Sequence, residues 1–193
     1  MSTELRLFRD GIVLRRLRWR DERRWLGLRE RNRDWLKRWE AMAPPGQKSR
    51  SMTFGQMVRE EGRQWRRATA YPMVIEVDGE LVGRVSVSGI AWGPECGGSI
   101  GYWVSEHRAG EGIAPRAVTL AADYAFAQGL HRLEIAMRPD NVPSIRVARK
   151  VGFRDEGLRR SYLYIDGAWR DHRVFALTSQ EPRPWHTWPR AQS

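Results

Sequence analysis

The chain has one cysteine, Cys96, in 193 residues, so no intramolecular disulfide can form and a bridged secreted scaffold is excluded. Long apolar runs are missing as well. None approaches the roughly 20 residues that cross a bilayer, and the opening MSTELRLFRDG carries charges where a signal peptide needs its apolar segment. Both shortages predict a cytoplasmic protein without membrane contact. Lysine is scarce: three residues stand against 31 arginines, and 34 cations over 23 anions leave a formal net charge of +11. Such a surface is either a solvated basic exterior or a docking face for polyanions, which basic proteins bind by releasing counterions. Between Arg15 and Arg24 the arginines alternate with tryptophan, leucine and acids, as on an amphipathic helix. His107, His131 and His172 lack metal-ligand spacing, and no metal is assigned.

The length suits one domain with a core large enough to need no metal or disulfide, here taken as residues 1–180. Residues 181–193, with Pro182, Pro184, Trp185 and Trp188, read as an extended tail. Periodicity predicts a first strand over 12–17, a helix over 21–40 capped by Asp21, and a helix over 53–67. A hairpin of strands 71–77 and 81–90 follows, turning at Asp78-Gly79.

The densest information lies between Ser99 and Ala127, where an apolar strand enters a glycine-bearing turn that opens into a helix. Gly110 and Gly112 remove side chains where the backbone must approach a ligand, and the unpaired N–H groups of a helix start converge on the same spot. That geometry suits a phosphate. A P-loop is excluded because Ile113-Ala114 follow Gly112 where Lys-Ser/Thr is required. A dinucleotide fingerprint is excluded because Pro115 takes the place of its third glycine. Further on, Leu133, Ile135 and Met137 alternate with polar positions as a strand, followed by Asn141-Val142-Pro143-Ser144 and Gly152-Phe153.

In this order the motifs resemble the GNAT superfamily of acetyl-CoA-dependent N-acetyltransferases, whose pyrophosphate turn reads Gln/Arg-x-x-Gly-x-Gly/Ala. Ala109-Gly110-Glu111-Gly112-Ile113-Ala114 matches at Gly112 and Ala114 and departs at Ala109, with Arg108 one place earlier. Arg31-Asn32-Arg33-Asp34-Trp35-Leu36, Trp39-Glu40, Gly101-Tyr102-Trp103-Val104 and Asp166-Gly167-Ala168-Trp169-Arg170-Asp171 extend the resemblance to the RimJ/RimL-like branch, which acetylates the α-amino group of ribosomal proteins. The resemblance implies a mixed α/β fold with a mostly antiparallel central sheet flanked by helices, and acetyl-CoA as co-substrate. It implies that residues 108–114 hold the diphosphate, that backbone N–H groups within Tyr102, Trp103 and Val104 polarise the thioester, and that Asn141 and Ser144 lie beside the pantetheine arm. In many relatives a tyrosine seven residues after the motif asparagine protonates the thiolate. Ala148 stands there, and the resemblance moves the role of proton donor to Ser144.

The central strand Ser99 to Trp103 holds no carboxylate, which leaves Glu134 on the neighbouring strand as either the candidate base or an exposed ion-pair partner of an arginine, with Tyr162 or a water chain as substitutes for the base. Asn141 doubles as a helix cap for the segment that Pro143 opens. Trp35, Trp39, Trp92, Trp103 and Trp169 suit either the core or a peptide cleft. The acceptor is expected to be a protein N-terminus, on the ribosome if the basic surface docks there. A small amine, or a non-catalytic module that binds acetyl-CoA or RNA, is the alternative.

Overall fold

The computed structural model describes residues 5–47 and 52–187. Its strands are β1 (Arg6–Arg9), β2 (Ile12–Arg15), β3 (Tyr71–Val77), β4 (Glu80–Ala91), β5 (Gly97–Val104), β6 (Arg132–Met137), β7 (Arg154–Ile165) and β8 (Ala168–Thr178). Helices α1 (Glu22–Arg31), α2 (Arg33–Lys37) and α3 (Phe54–Arg67) separate β2 from β3, α4 (Ile113–Ala127) separates β5 from β6, and α5 (Val142–Val151) separates β6 from β7. The strands form one sheet in the order β1-β2-β3-β4-β5-β6-β8-β7. Every junction is antiparallel except β5 with β6. Among the described residues no helix is long and apolar enough to cross a membrane.

The mixed α/β sheet with helices agrees with the sequence reading, and four local details correct it. A hairpin partner, β1, precedes the expected first strand. The expected helix over 21–40 breaks at Asn32, whose backbone leaves the helical region (φ −106°, ψ 13°) while its amide donates to the Leu28 carbonyl at 2.8 Å and to Ser105 Oγ at 2.7 Å. Asp21 sits at the N-cap position of α1 without capping it. Its carboxylate turns instead to Arg15 (2.7 and 3.0 Å) and the Arg18 N–H (2.9 Å), because a charge-assisted bidentate pair outbids a neutral cap bond. The tail is also not extended where it is described. Pro184–Thr187 forms a 3₁₀ turn, and Trp185 is 3% exposed with its Nε1 donating to Asp123 Oδ2 at 3.0 Å. Trp188 lies outside the described residues.

Two features of the sheet create the site. The ladder between β5 and β6 runs only through the pairs Gly97 with Arg132, Gly98 with Leu133 and Ser99 with Glu134. Beyond Ser99 the two strands part, leaving the outward amides of β5 without a neighbouring strand. On the far side of the gap, Leu133, Ile135 and Met137 of β6 are buried, and a one-residue slip would expose all three at roughly 1.5–3 kcal/mol each. The register of β6 is thereby fixed, and Glu134 with it on the opposite face.

Candidate active site

The turn before α4 has the conformation that its glycines allow. Gly110 and Gly112 adopt φ of 89° and 72°, and a Cβ on Gly110 would meet nothing within 4 Å. Gly112 occupies the N-cap position and no side chain caps the helix, so the N–H groups of Ile113 and Ala114 point out of a 15-residue helix whose positive end favours an anion. A cavity of about 570 Å³ opens on this turn. Tyr102, Trp103, Val104, Arg108, Ala109, Gly110, Gly112, Ile113, Ala114, Asn141 and Ser144 all line it, with Trp35 and Pro143 across from the strand. Of the cofactor residues expected from sequence, only Glu111 is absent from the wall. Its carboxylate holds Arg108 Nε at 2.8 and 2.9 Å, and Arg108 Nη1 reaches Glu80 at 3.3 Å. The cradle therefore fits a diphosphate, with Arg108 steered at its rim by two carboxylates.

The direction of the β5 amides follows from one hydrogen bond. Ser105 N–H donates to the Val82 carbonyl at 2.7 Å, and in an antiparallel ladder residues alternate between facing the partner strand and facing away. Trp103 thus directs its N–H toward β4, while Tyr102 and Val104 direct theirs into the gap where β6 has departed. This corrects the expectation for Trp103, which contributes a side-chain wall. The Val104 carbonyl, on the same gap side, accepts from Trp35 Nε1 at 3.2 Å. A buried network anchors this end of β5: Ser105 Oγ lies 3.0 Å from Asn32 Oδ1 and 2.9 Å from His107 Nδ1, and the Glu106 N–H donates to Asn32 Oδ1 at 2.9 Å.

A second cavity of about 360 Å³ lies against the first. Trp39, Tyr102, Trp103, Asn141 and Ser144 line both. Asn141 Oδ1 caps α5 by accepting from the Ser144 N–H at 3.2 Å, so the capping role expected for it and a place on the cavity wall coexist. The Tyr102 hydroxyl donates to the Ser144 carbonyl at 3.4 Å, and burial pushes its pKa up to about 12 against the smaller opposing effect of that contact. The tyrosine stays protonated across the physiological range. The rest of the second cavity is built by Glu40, Arg84, Ser86, Arg138, Leu163 and His172, among others. Glu40 is already bonded to Arg29 through both oxygens at 2.7 Å.

Glu134 lines neither cavity. Arg132 holds one of its oxygens at 2.9 Å and Arg159 the other at 2.8 Å. This placement favours an ion pair over a base at Glu134: the side chain shares a strand face with Ala136, which lines the second cavity, but Arg132 and Arg159 hold both of its oxygens. Glu134→Gln is expected to leave the acidic limb of the kcat/KM profile where it stands in the parent enzyme, as measured with any turned-over amine. Of the tryptophans expected as cleft candidates, Trp35, Trp39 and Trp103 reach the cavities. Trp92 bonds the Ala68 carbonyl at 3.0 Å and Trp169 is 54% exposed, neither on a cavity wall.

Sequence reasoning passed over His172 and Glu40. The signal for His172 was present in the alternation of β8, where it shares a strand face with Val174 and Ala176, all three buried.

A family model described as an acetyltransferase (GNAT) domain matches residues 12–154. A probable N-acetyltransferase of Bacillus subtilis, YjcK, is 32% identical over 177 residues, covering 88% of this chain and 95% of that protein. The [ribosomal protein uS5]-alanine N-acetyltransferase of Escherichia coli is 30% identical over 188 residues, covering 94% of both. Among solved structures, Mycobacterium smegmatis RimJ in complex with CoA-disulfide superposes with a TM-score of 0.81 at 34% identity, covering 97% of this chain and 90% of that one. Matched along most of its length, and carrying a cradle that suits a diphosphate beside outward-facing strand amides, the chain belongs to the GNAT acetyltransferases in their RimJ-like branch and is an acetyl-CoA-dependent N-acetyltransferase.

Proposed function

We propose that the acceptor is the N-terminal α-amino group of a ribosomal or similar protein, acetylated in the cytoplasm. The observation that carries this reading is the wall shared by the two cavities. Trp39, Tyr102, Trp103, Asn141 and Ser144 form it, so a thioester reaching along the first cavity meets whatever amine enters the second. A space of about 360 Å³ admits the first residue or two of a chain and leaves the remainder outside. The related Escherichia coli enzyme is named for such an acceptor.

The chemistry divides among this chain's residues. The amides of residues 110–114 and the start of α4 hold the diphosphate, and Arg108 adds charge at its edge. One of the outward N–H groups, of Tyr102 or Val104, donates to the thioester carbonyl, where negative charge develops during attack, since the two lie about 6.6 Å apart along the strand and cannot share one oxygen. Ser144 is the proposed proton donor to the departing thiolate, with the Tyr102 hydroxyl beside it, and Asn141 fixes the turn that presents Ser144. An α-amine suits this site because its reference pKa of about 7.7–8.0 leaves roughly a tenth neutral at pH 7, against under a thousandth for lysine.

Ribosome proximity is supported by charge placement. A groove between α3 and the segment after β2 is lined by Arg16, Arg59, Arg63 and Arg66, with Trp19 and Trp65 in its wall. Arg59 sits over the Trp19 ring at 5.4 Å.

The test is a panel of peptides carrying Ala or Ser N-termini, the same peptides blocked at that end, and small amines, with products mapped by mass spectrometry. Acetylation confined to free peptide N-termini is the expected result, and turnover of small amines alone defeats the reading. Arg108→Ala is expected to raise the KM for acetyl-CoA about tenfold, equivalent to a charge-assisted bond of about 1.4 kcal/mol, with kcat little changed. An unaltered KM removes Arg108 from the cofactor site.

A further inference from the structure

The acceptor enters as an ammonium, and something must take its proton before nitrogen can attack. With Glu134 off the cavity wall and held by Arg132 and Arg159, and Glu40 occupied by Arg29, the second cavity offers one buried titratable nitrogen, that of His172, which is 2% exposed. His172 Nδ1 lies 3.0 Å from the Arg170 carbonyl, an oxygen that can only accept, so Nδ1 carries the hydrogen. Nε2 is left with its lone pair. The ring stands on β8 one register position beyond the last β6 pair, Met137 with Arg173, and lines the cavity that Ser144 also borders. The Tyr162 ring of β7 stands nearly perpendicular to the imidazole, with ring centroids 5.6 Å apart.

We infer that Nε2 of His172 accepts the proton of the acceptor ammonium, directly or through one water, and is the general base of the transfer. The proton moves from the ammonium to Nε2, and the freed nitrogen pair forms a C–N bond to the acetyl carbon. The C–S bond then breaks and sulfur keeps its electron pair; the second proton that nitrogen gives up on becoming an amide replaces the one Ser144 passes to that sulfur, and the imidazolium returns its proton to solvent. The inference rests on the acceptor being an amine delivered through the second cavity.

The surroundings keep the imidazole neutral and ready. Burial is the largest influence and lowers the His172 pKa below the usual imidazole value. The bond to the Arg170 carbonyl opposes this, the nearby Arg138 cation reinforces it, and Asp171 opposes it, with the net direction downward. The other charged groups on the cavity wall are Arg84, paired with Glu61 at 2.7 Å, and the Arg29-bound Glu40, while Arg138 is itself held by Asp140 at 2.5 Å. The base is therefore deprotonated and available at neutral pH.

Two variants and two readouts test this. His172→Gln removes the ring, and His172→Asn keeps a side-chain N–H for the Arg170 carbonyl while removing Nε2. In the parent enzyme the acidic limb of kcat/KM for an N-terminal peptide is expected below about pH 6.5, set by the lowered imidazole. In both variants kcat/KM at pH 7 is expected to fall about tenfold and the limb to move up to the amine's own pKa of about 7.7–8.0. Rate is regained above pH 8, and the KM for acetyl-CoA stays unchanged. A uniform loss at all pH values, with the limb unmoved, marks a merely structural role and overturns the inference, as does parental activity in His172→Asn. Independently, nitrogen-15 NMR of the free protein at pH 7 is expected to show His172 protonated at Nδ1 alone. A doubly protonated ring, or the opposite tautomer, overturns it. If the parent enzyme turns over small amines and no peptide, the acceptor reading fails, while the limb shift in the variants, measured on the small amine, still decides the role of His172.

Discussion

Asp21→Asn is expected to cost about 3 kcal/mol of folding stability and to lower the melting temperature by about 6–12 °C in a domain of this size. Arg15 and Asp21 are each 1% exposed, and their guanidinium and carboxylate meet in a bidentate pair at 2.7 and 3.0 Å. Glu76 takes two further contacts from Arg15 at 2.9 and 2.8 Å. Removing one partner from a buried pair leaves a buried charge uncompensated, at about 3–5 kcal/mol, and the remaining Glu76 holds the loss at the lower end. The pH dependence carries a definite sign. Burial alone would raise the Asp21 pKa, but the bonds from Arg15 and the Arg18 N–H, with the Arg15 and Arg24 charges, outweigh it and lower the pKa. A carboxylate with a depressed folded pKa contributes its full stability above the unfolded value, near 3.9, and loses it as pH falls through the folded one. Thermal melts should therefore show a constant gap between parent and variant from pH 7 down to about pH 4, closing below it. A gap that widens toward acid contradicts the assignment.

Gly83→Ala is expected to lower kcat/KM about a hundredfold, with a stability loss of about 1–3 kcal/mol. A Cβ at position 83 would collide with the Trp103 carbonyl oxygen and come within 3.1 Å of the Val104 Cα. Both obstacles are backbone, so no rotamer change relieves them. β4 must shift from β5, moving the Tyr102 and Val104 amides relative to the cradle at residues 110–114. Displacements near 1 Å are enough to cost two orders of magnitude in a reaction that depends on alignment. The decisive comparison is between rate and fold. A variant that keeps a cooperative melt and its circular dichroism, yet loses kcat/KM, shows that the distance between β4 and β5 sets the geometry of the oxyanion donor. Parental kinetics would mean that the strands absorb the methyl elsewhere and that the donor does not depend on this contact.

Much of the site was legible before the fold because its chemistry is local in sequence. Gly110, Gly112 and the start of α4 are consecutive, so positive φ, bare amides and an uncapped helix end combine within a few residues whatever surrounds them. Asn141 and Ser144 are likewise joined by a single capping turn. The alternation in β6 showed which face Glu134 occupies, because burying Leu133, Ile135 and Met137 leaves its side chain no other direction. It did not show what that face meets. Arg159 comes from β7, a strand that pairs with β8 and not with β6, and Arg132 closes the cluster from two residues away. The break at Asn32 was hidden for a similar reason, since the amide is satisfied by Ser105, 73 positions later.

Residue pattern alone determined the alternation of strands and helices around a glycine-bearing turn suited to an anion, because hydrophobic period, glycine placement and helix-start chemistry act over distances shorter than one element. Only the tertiary structure decided where β5 and β6 separate, which amides of β5 face the gap, and that β8 enters the sheet between β6 and β7 and brings His172 to the cavity bordered by Ser144. Strand order is set by how the whole set of apolar faces is buried together, a sum over distant residues that no local window contains.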